Sequence, residues 1–335
     1  MFATRTRRRF GGGLLAAVTG VTLVLTGCSS SSDEPSQTDS PTGATRTVTD
    51  SSGEVEIPVD AERIVTVHHI ATQPLINLGV VPVGRGAVAE NAVTPETWQK
   101  IDDVPVVSNG AEPDTEQIAT LEPDLIIAHN RIDDTDLDAL RGIAPVLVLD
   151  IAGPGRADWQ GRVELVAQAL GLEDTYQQLL DDFDTRAASI ADTHRDVLDR
   201  ETFSLIGSWN PGTFNTYSAQ SIWGSVFTKA GARISPAEEA AASAESSGEA
   251  ELSIEQLPTV LDGTVLLHVT DLRGTPNAEL EAVMAEPLYR SVPAVTTGLV
   301  FPGGKDTVGG FEDANYNLDV FEAALKALEN EAQPS

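Results

Sequence analysis

Between residues 172 and 197 the apolar stripe falls at Leu172, Tyr176, Leu179, Leu180, Phe183, Ala187, Ile190, His194 and Val197, returning every three or four residues. That period predicts one amphipathic helix with a single buried face. About 26 residues at 1.5 Å each span roughly 39 Å, longer than a connector inside one small domain needs. The segments before and after it therefore read as two folded halves.

Both halves alternate strand and helix signals. Ahead of the long helix, apolar runs at 63–67, 80–83, 104–107, 124–128 and 145–149 read as strands. Segments 73–78, 114–121, 135–143 and 158–170 read as helices, with Asp114 a cap over Gln117 and Gly171 a stop. Behind it the alternation resumes with strands at 202–207, 264–269 and 299–301. Helices are expected at 221–230, 279–285 and 318–328, with a capped start at Ser253. Residues 237–250, rich in Ala, Glu and Ser, read as a solvated loop. Such alternation implies mostly parallel sheets covered on both faces. The predicted fold class is α/β: two Rossmann-like lobes joined by one long α-helix, with a ligand cleft between them. The expected boundaries are 46–171, 172–198 and 199–335.

The N-terminus reads as an address. Arg5, Arg7, Arg8 and Arg9 precede an apolar stretch from Leu14 to Leu25, the length of a signal-peptide core and too short for a stable span. Leu25-Thr26-Gly27-Cys28 follows, carrying the only cysteine of the 335 residues. This resembles the lipobox of bacterial lipoproteins, which implies cleavage after residue 27 and acylation of Cys28. Thr6-Arg7-Arg8-Arg9-Phe10 also resembles a twin-arginine export signal, from which Gly11-Gly12 depart, so the export route stays open. Residues 28–45, without a large apolar side chain until the end, read as a flexible tether. The body is expected to be exported and lipid-anchored on the outer face of the cell membrane.

Charge and cysteine count exclude several classes. The chain carries 51 Asp+Glu against 21 Lys+Arg, a formal charge of −30. Without the four arginines of the leader, the mature charge is about −34, which repels phosphate backbones and excludes nucleic acid as a partner. One cysteine permits no internal disulfide and no cysteine metal cluster.

Several runs resemble the substrate-binding proteins of ABC importers for iron-siderophores, haem and cobalamin. They are Arg63-Ile64-Val65, the stretch from Leu78-Gly79-Val80 to Pro82-Val83-Gly84, 118–128 (IATLEPDLIIA), and Ile143-Ala144-Pro145-Val146. In the C-terminal half Leu252-Ser253, Glu255, Leu257-Pro258, Val292-Pro293-Ala294-Val295, Gly298 and Val300 match in order. The resemblance spans residues 48–328. It implies a monomeric receptor without cofactor that captures a ferric siderophore and delivers it to a permease driven by separate ATPase subunits. In this family one acidic residue per lobe docks on the permease, and the matching positions are Glu116 and Glu255. Both fall in expected first helical turns, where a carboxylate also favours the helix dipole.

Ligands of open α/β sheets sit beyond the carboxyl ends of the strands. Those positions hold His68-His69, Arg85, His129-Asn130-Arg131, Ser208-Trp209-Asn210, Thr270-Asp271-Leu272-Arg273 and Gly303-Gly304-Lys305. Arg85, Arg131, Arg273 and Lys305 on so acidic a body point to an anionic or polyoxygenated ligand. Trp209, Phe214, Tyr217 and Trp223 are candidate flat walls, with Asn210 as a polar contact, although Trp223 at helical spacing also fits a core. Ferric siderophores suit this chemistry; haem and cobalamin are alternatives. Free Zn²⁺ or Mn²⁺ is another, held by His68, His129 and a carboxylate of the far lobe. In strand geometry, adjacent His68 and His69 point to opposite faces, so one of them is expected in the cleft. His194 and His268 read as packing. No G-x-S-x-G elbow, phosphate loop or dinucleotide fingerprint is present, so a siderophore-processing enzyme is the remaining alternative of another class.

Overall fold

The computed structural model describes residues 43–332, and side chains to residue 330. The N-terminal half opens with a hairpin, β1 (Thr45–Asp50) and β2 (Gly53–Pro58). It continues β3 (Ile64–Thr66), α1 (His69–Asn77), β4 (Arg85–Gly86), α2 (Pro95–Ile101), β5 (Val106–Ser108), α3 (Thr115–Thr120), β6 (Leu125–His129), α4 (Asp134–Arg141), β7 (Val146–Leu149) and α5 (Trp159–Leu170). Strands β3, β6 and β7 form a parallel sheet in that order, β4 and β5 a parallel pair, and a bridge from Val65 to Gly84 joins the two. Arg63 and Asp124, part of the family-like runs, are framework residues. The Asp124 carboxylate accepts from Arg63 N at 3.0 Å, and Arg63 Nε donates to Leu121 O at 3.0 Å at the end of α3.

After α6 (Glu173–Thr193) and α7 (Arg195–Arg200) the C-terminal half runs β8 (Phe203–Gly207), β9 (Thr213–Tyr217), α8 (Gly224–Lys229), α9 (Pro236–Ala242), β10 (Glu249–Ser253), α10 (Leu257–Val260), β11 (Val265–Val269), α11 (Ala278–Ala285), α12 (Pro293–Thr297), β12 (Val300–Gly304) and α13 (Phe311–Ala332). Its five-stranded sheet has the order β10-β9-β8-β11-β12, parallel from β8 through β11 to β12 and antiparallel at the β9 and β10 edge.

Three sequence expectations change. The long helix is broken at His194, whose backbone leaves helical geometry (φ −107°, ψ 22°) and whose Nδ1 lies 2.8 Å from Glu329 of α13. The stripe survives the break because α7 resumes in phase, keeping Val197 buried. Residues 80–83 form no strand; the pairing falls one step later, at β4. Residues 237–250 are not a solvated loop: α9 and β10 lie there, and Glu238 is fully buried against β8 and β9. Helices α1 and α13 start earlier than read, at His69 and Phe311, while two local signals hold. Asp114 Oδ1 accepts from Gln117 N at 2.9 Å, and Gly171 ends α5 at φ 69°, where a side chain would be strained.

One core runs through both halves, packing α5, α6 and α13 between the sheets. Trp159 of α5, Phe183 of α6 and Phe311 of α13 meet edge to face, with ring centroids 5.4 Å (Trp159–Phe183) and 5.1 Å (Trp159–Phe311) apart. Buried aromatic rings of this kind each contribute about 1.5–3 kcal/mol. The lobes are thus sewn together by helices rather than by a bare loop, which restricts their relative motion.

Candidate functional site

The carboxyl ends of both sheets open on one cleft with two adjoining chambers, of about 600 Å³ and about 410 Å³. His69, Trp209 and Thr307 line both.

The floor is built where β3 passes into α1. His68 is the N-cap of α1 and its Nδ1 accepts from Ile70 N at 3.1 Å, so His69 is the first helical residue. The helical turn therefore brings both rings to the cleft, with centroids 4.2 Å apart, and strand alternation does not apply. The backbone of Gly86 passes under them: a Cβ there would lie 2.6 Å from His68 Cα. His129 stands behind, buried, its ring edge-on to His68 at 4.9 Å. Arg131 N donates to His129 Nδ1 at 3.2 Å, which leaves Nε2–H to donate to Gly110 O at 3.1 Å. Both nitrogens are occupied, so the His68/His129 pair of the alternative metal reading is not available. Among the described residues no group of three His, Cys, Asp or Glu is placed to hold a metal ion. Burial, reinforced by His129 and then Arg131, lowers His68 to about 4. Burial, reinforced by His68 and Lys305, lowers His69 to about 3, and burial lowers His129 to about 4 against its bond to Gly110. The floor is therefore uncharged at neutral pH.

The walls carry the charge. Arg131, exposed on the loop after β6, lines the larger chamber and makes no side-chain hydrogen bond or ion pair among the described residues. Arg156, in a single 3₁₀ turn at 153–157 after β7, lines it too, and its Nε donates to Glu249 Oε2 of the other lobe at 2.8 Å. Burial opposes the Arg156 charge, but Glu249 outweighs it and holds the guanidinium above its ordinary value. Trp209, 51% exposed, is the flat wall contributed by the C-terminal lobe. Its loop is fixed by Ser208 Oγ to Thr213 O at 2.9 Å and by Asn277 Nδ2 to Ser208 O at 2.8 Å. Lys305 lines the smaller chamber, yet its Nζ already donates to Asp313 Oδ2 at 2.7 Å and to Ala92 O at 3.0 Å. Asp271 faces the same chamber. Burial works against its charge, but donors from Thr275 N, Asn91 Nδ2 and Arg273 N hold it below the usual carboxylate range.

Of the residues expected from strand ends, His68, His69, Arg131, Trp209, Thr270, Asp271 and Lys305 line the cleft. The remaining candidates do not. Arg85 is buried, its Nε donating to Ile101 O at 2.8 Å and its Cζ 5.5 Å from the centre of the Trp98 ring. Arg273 turns outward to Glu90 at 3.2 Å. Asn210 Nδ2 donates to Glu251 at 2.9 Å. Tyr217 is buried under the cleft with its hydroxyl on Asp306 at 2.8 Å, and Phe214 and Trp223 are core. Arg156 is the gain. Arg156 is within reach of the strand-end rule, because it stands in the segment that leaves β7. Glu116 and Glu255 are exposed, in the first turn of α3 and in the 3₁₀ turn at 254–256. Cys28 and the whole leader lie outside the described residues. No described helix is long and apolar enough to cross a membrane.

A cleft that gathers a guanidinium with no partner among the described residues, an indole and neutral imidazoles between two α/β lobes is built to hold a small molecule and defines a ligand-binding protein. The profile described as Periplasmic binding protein matches residues 64–307, and the chain belongs to that family. It is 27% identical over 317 residues, 90% of this chain and 93% of the other, to the probable siderophore-binding lipoprotein YfiY of Bacillus subtilis strain 168. It is 22% identical over 313 residues, 92% and 94% of the two chains, to the Fe(3+)-citrate-binding protein YfmC of the same strain. Among solved structures, the siderophore periplasmic binding protein from the fuscachelin gene cluster of Thermobifida fusca superposes with a TM-score of 0.67 at 28% identity, covering 81% of this chain and 98% of that one. The resemblance read from the residues is thus borne out, as is the two-lobed α/β class.

Proposed function

We propose that this protein captures a ferric siderophore between its lobes, without chemistry, and delivers it to an ABC permease. The observation that carries the reading is the pairing of Arg131 and Trp209 on opposite lobes of one cleft. An oxygen-rich chelate accepts hydrogen bonds from the guanidinium while its apolar linkers pack on the indole. The relatives named above as siderophore- and ferric-citrate-binding support the same ligand class. In this reading the functional lobes are residues 46–171 and 199–335, joined by 172–198. Cys28 carries the lipid on the outer face of the membrane, and Glu116 and Glu255 meet the permease, whose partner subunits hydrolyse ATP.

Tryptophan fluorescence tests it, since Trp209 is half exposed in the cleft and Trp159 and Trp223 are buried. Saturable quenching by a ferric chelate, absent with Zn²⁺, Mn²⁺, haem and cobalamin, is the expected result. Saturation by a bare ion alone sinks the proposal, and recovery of a cleaved ligand shows that chemistry occurs.

A further inference from the structure

We propose that the cleft selects a ferric chelate of low net charge, of the tris-hydroxamate kind, over a trianionic tris-catecholate. This rests on the function proposed above and concerns which class of siderophore the cleft takes.

The argument is one of charge compensation. Three cationic side chains reach the cleft: Arg131, Arg156 and Lys305. Two of them already have carboxylates, Arg156 with Glu249 at 2.8 Å and Lys305 with Asp313 at 2.7 Å. Arg131 alone is uncompensated among the described residues. In the smaller chamber Asp271 stands as a carboxylate beside Lys305, while burial pushes the Asp306 carboxyl up. The imidazoles on the floor are neutral, and the other two strand-end arginines are spent on Ile101 O and Glu90.

A trianion moved into this site loses its hydration and finds, among the described residues, one cation without a partner. Partly buried charge without a partner is costly, so most of that charge would go unmet. The surroundings add to the cost: residues 43–335 carry 48 acids against 17 bases, and a field of that sign repels an approaching anion. In a ferric tris-hydroxamate the three bidentate anions neutralise the metal, so no net charge has to be met. What it needs are donors for its oxygens and apolar walls for its linkers. Arg131 supplies donors, and so does Arg156, of which only Nε is engaged. Trp209, Ile70 and Ile151 supply apolar surface.

The test titrates the detergent-solubilised full chain with ferrichrome (a neutral tris-hydroxamate), ferric enterobactin (a tris-catecholate trianion) and ferric citrate. Ferrichrome is expected to bind at least about tenfold more tightly than either anion, with little change in Kd between about 10 mM and about 500 mM salt. Tightest binding by ferric enterobactin or ferric citrate overturns the selectivity while the transport reading stands. No saturable binding by any of the three overturns the reading beneath it. A second arm uses Glu249→Gln, which frees the Arg156 charge and is expected to improve ferric enterobactin relative to ferrichrome by about tenfold. An unchanged ratio in a variant with native circular dichroism refutes compensation by Glu249. Should that variant not fold, the wild-type ranking decides.

Discussion

Replacing Glu238 by glutamine separates the packing of the C-terminal sheet from its protonation. The carboxyl is fully buried, and its Oε1 accepts from Leu205 N at 2.8 Å, Thr216 Oγ1 at 2.7 Å and Tyr217 N at 3.3 Å. Burial raises it from 4.5 to about 8, against the pull of those hydrogen bonds. A carboxyl that grips its proton harder when folded makes the native state bind more protons between those two values. Stability then falls as pH rises through that interval, and the loss is complete only above about pH 8. At about 1.4 kcal/mol per pH unit the full penalty is on the order of 5 kcal/mol. Glutamine keeps the acceptor oxygen and the volume and cannot ionise, while its amide reaches toward Ser235 Oγ, which lies 3.4 Å from Oε2. Wild type and Glu238→Gln should therefore be about equally stable near pH 4.5. Near pH 8 the variant should be more stable by on the order of 5 kcal/mol, roughly 10 °C in Tm for a body this size. Guanidinium unfolding followed by far-ultraviolet circular dichroism, in steps from about pH 4.5 to 8.5, measures both curves. Parallel curves refute the reasoning, because the carboxyl would then titrate alike in both states.

Other substitutions separate cleft from framework. Arg85→Ala strands Ile101 O and opens a void beside Trp98, so it should destabilise by about 2–4 kcal/mol in denaturant while leaving chelate affinity unchanged; a selective loss of affinity would return Arg85 to the site. Trp209→Ala should weaken chelate binding by about tenfold or more and abolish most of the ligand-induced quench, with Tm nearly unchanged because the indole is half exposed. Glu116→Ala combined with Glu255→Ala should leave Kd intact and depress uptake of labelled ferric chelate in cells, and normal uptake refutes docking through these residues.

The parts of the fold that were legible in the sequence are those where one face is uniformly apolar. Strands β6 and β7 are buried along their length, and the α6 stripe repeats at the helical period, so local pattern and packing agree. The misses share a cause. The β1–β2 hairpin alternates polar residues with single apolar ones, and its burial comes from the distant α5 and β7, where Val148 N donates to Asp50 Oδ2 at 2.6 Å. Helix α9 reads as solvated because its composition is acidic, yet Glu238 finds its donors on β8 and β9, more than 20 residues earlier. Pairings of that separation leave no mark in a window of ten residues.

For the site, the strand-end rule located the cleft but did not settle which side chains face it. That choice depends on counter-ions and caps placed by tertiary structure. Arg85 lies in β4 and Arg131 just beyond β6, and the two are chemically identical, but α2 presents Ile101 O and Trp98 to the first, while the second meets solvent. His68 was legible as a residue and illegible as a geometry, because α1 begins at His69, four residues before the helix read from the sequence, and carries His69 into the cleft with it. Lys305 shows the same limit in charge: Asp313, eight residues on, sits in the first turn of α13 and takes the ammonium. A count of basic residues at strand ends therefore overstates the positive charge a ligand meets. Among the described residues Arg131 is the cleft cation without a partner, and under the proposed selectivity it is the charge left open to a chelate.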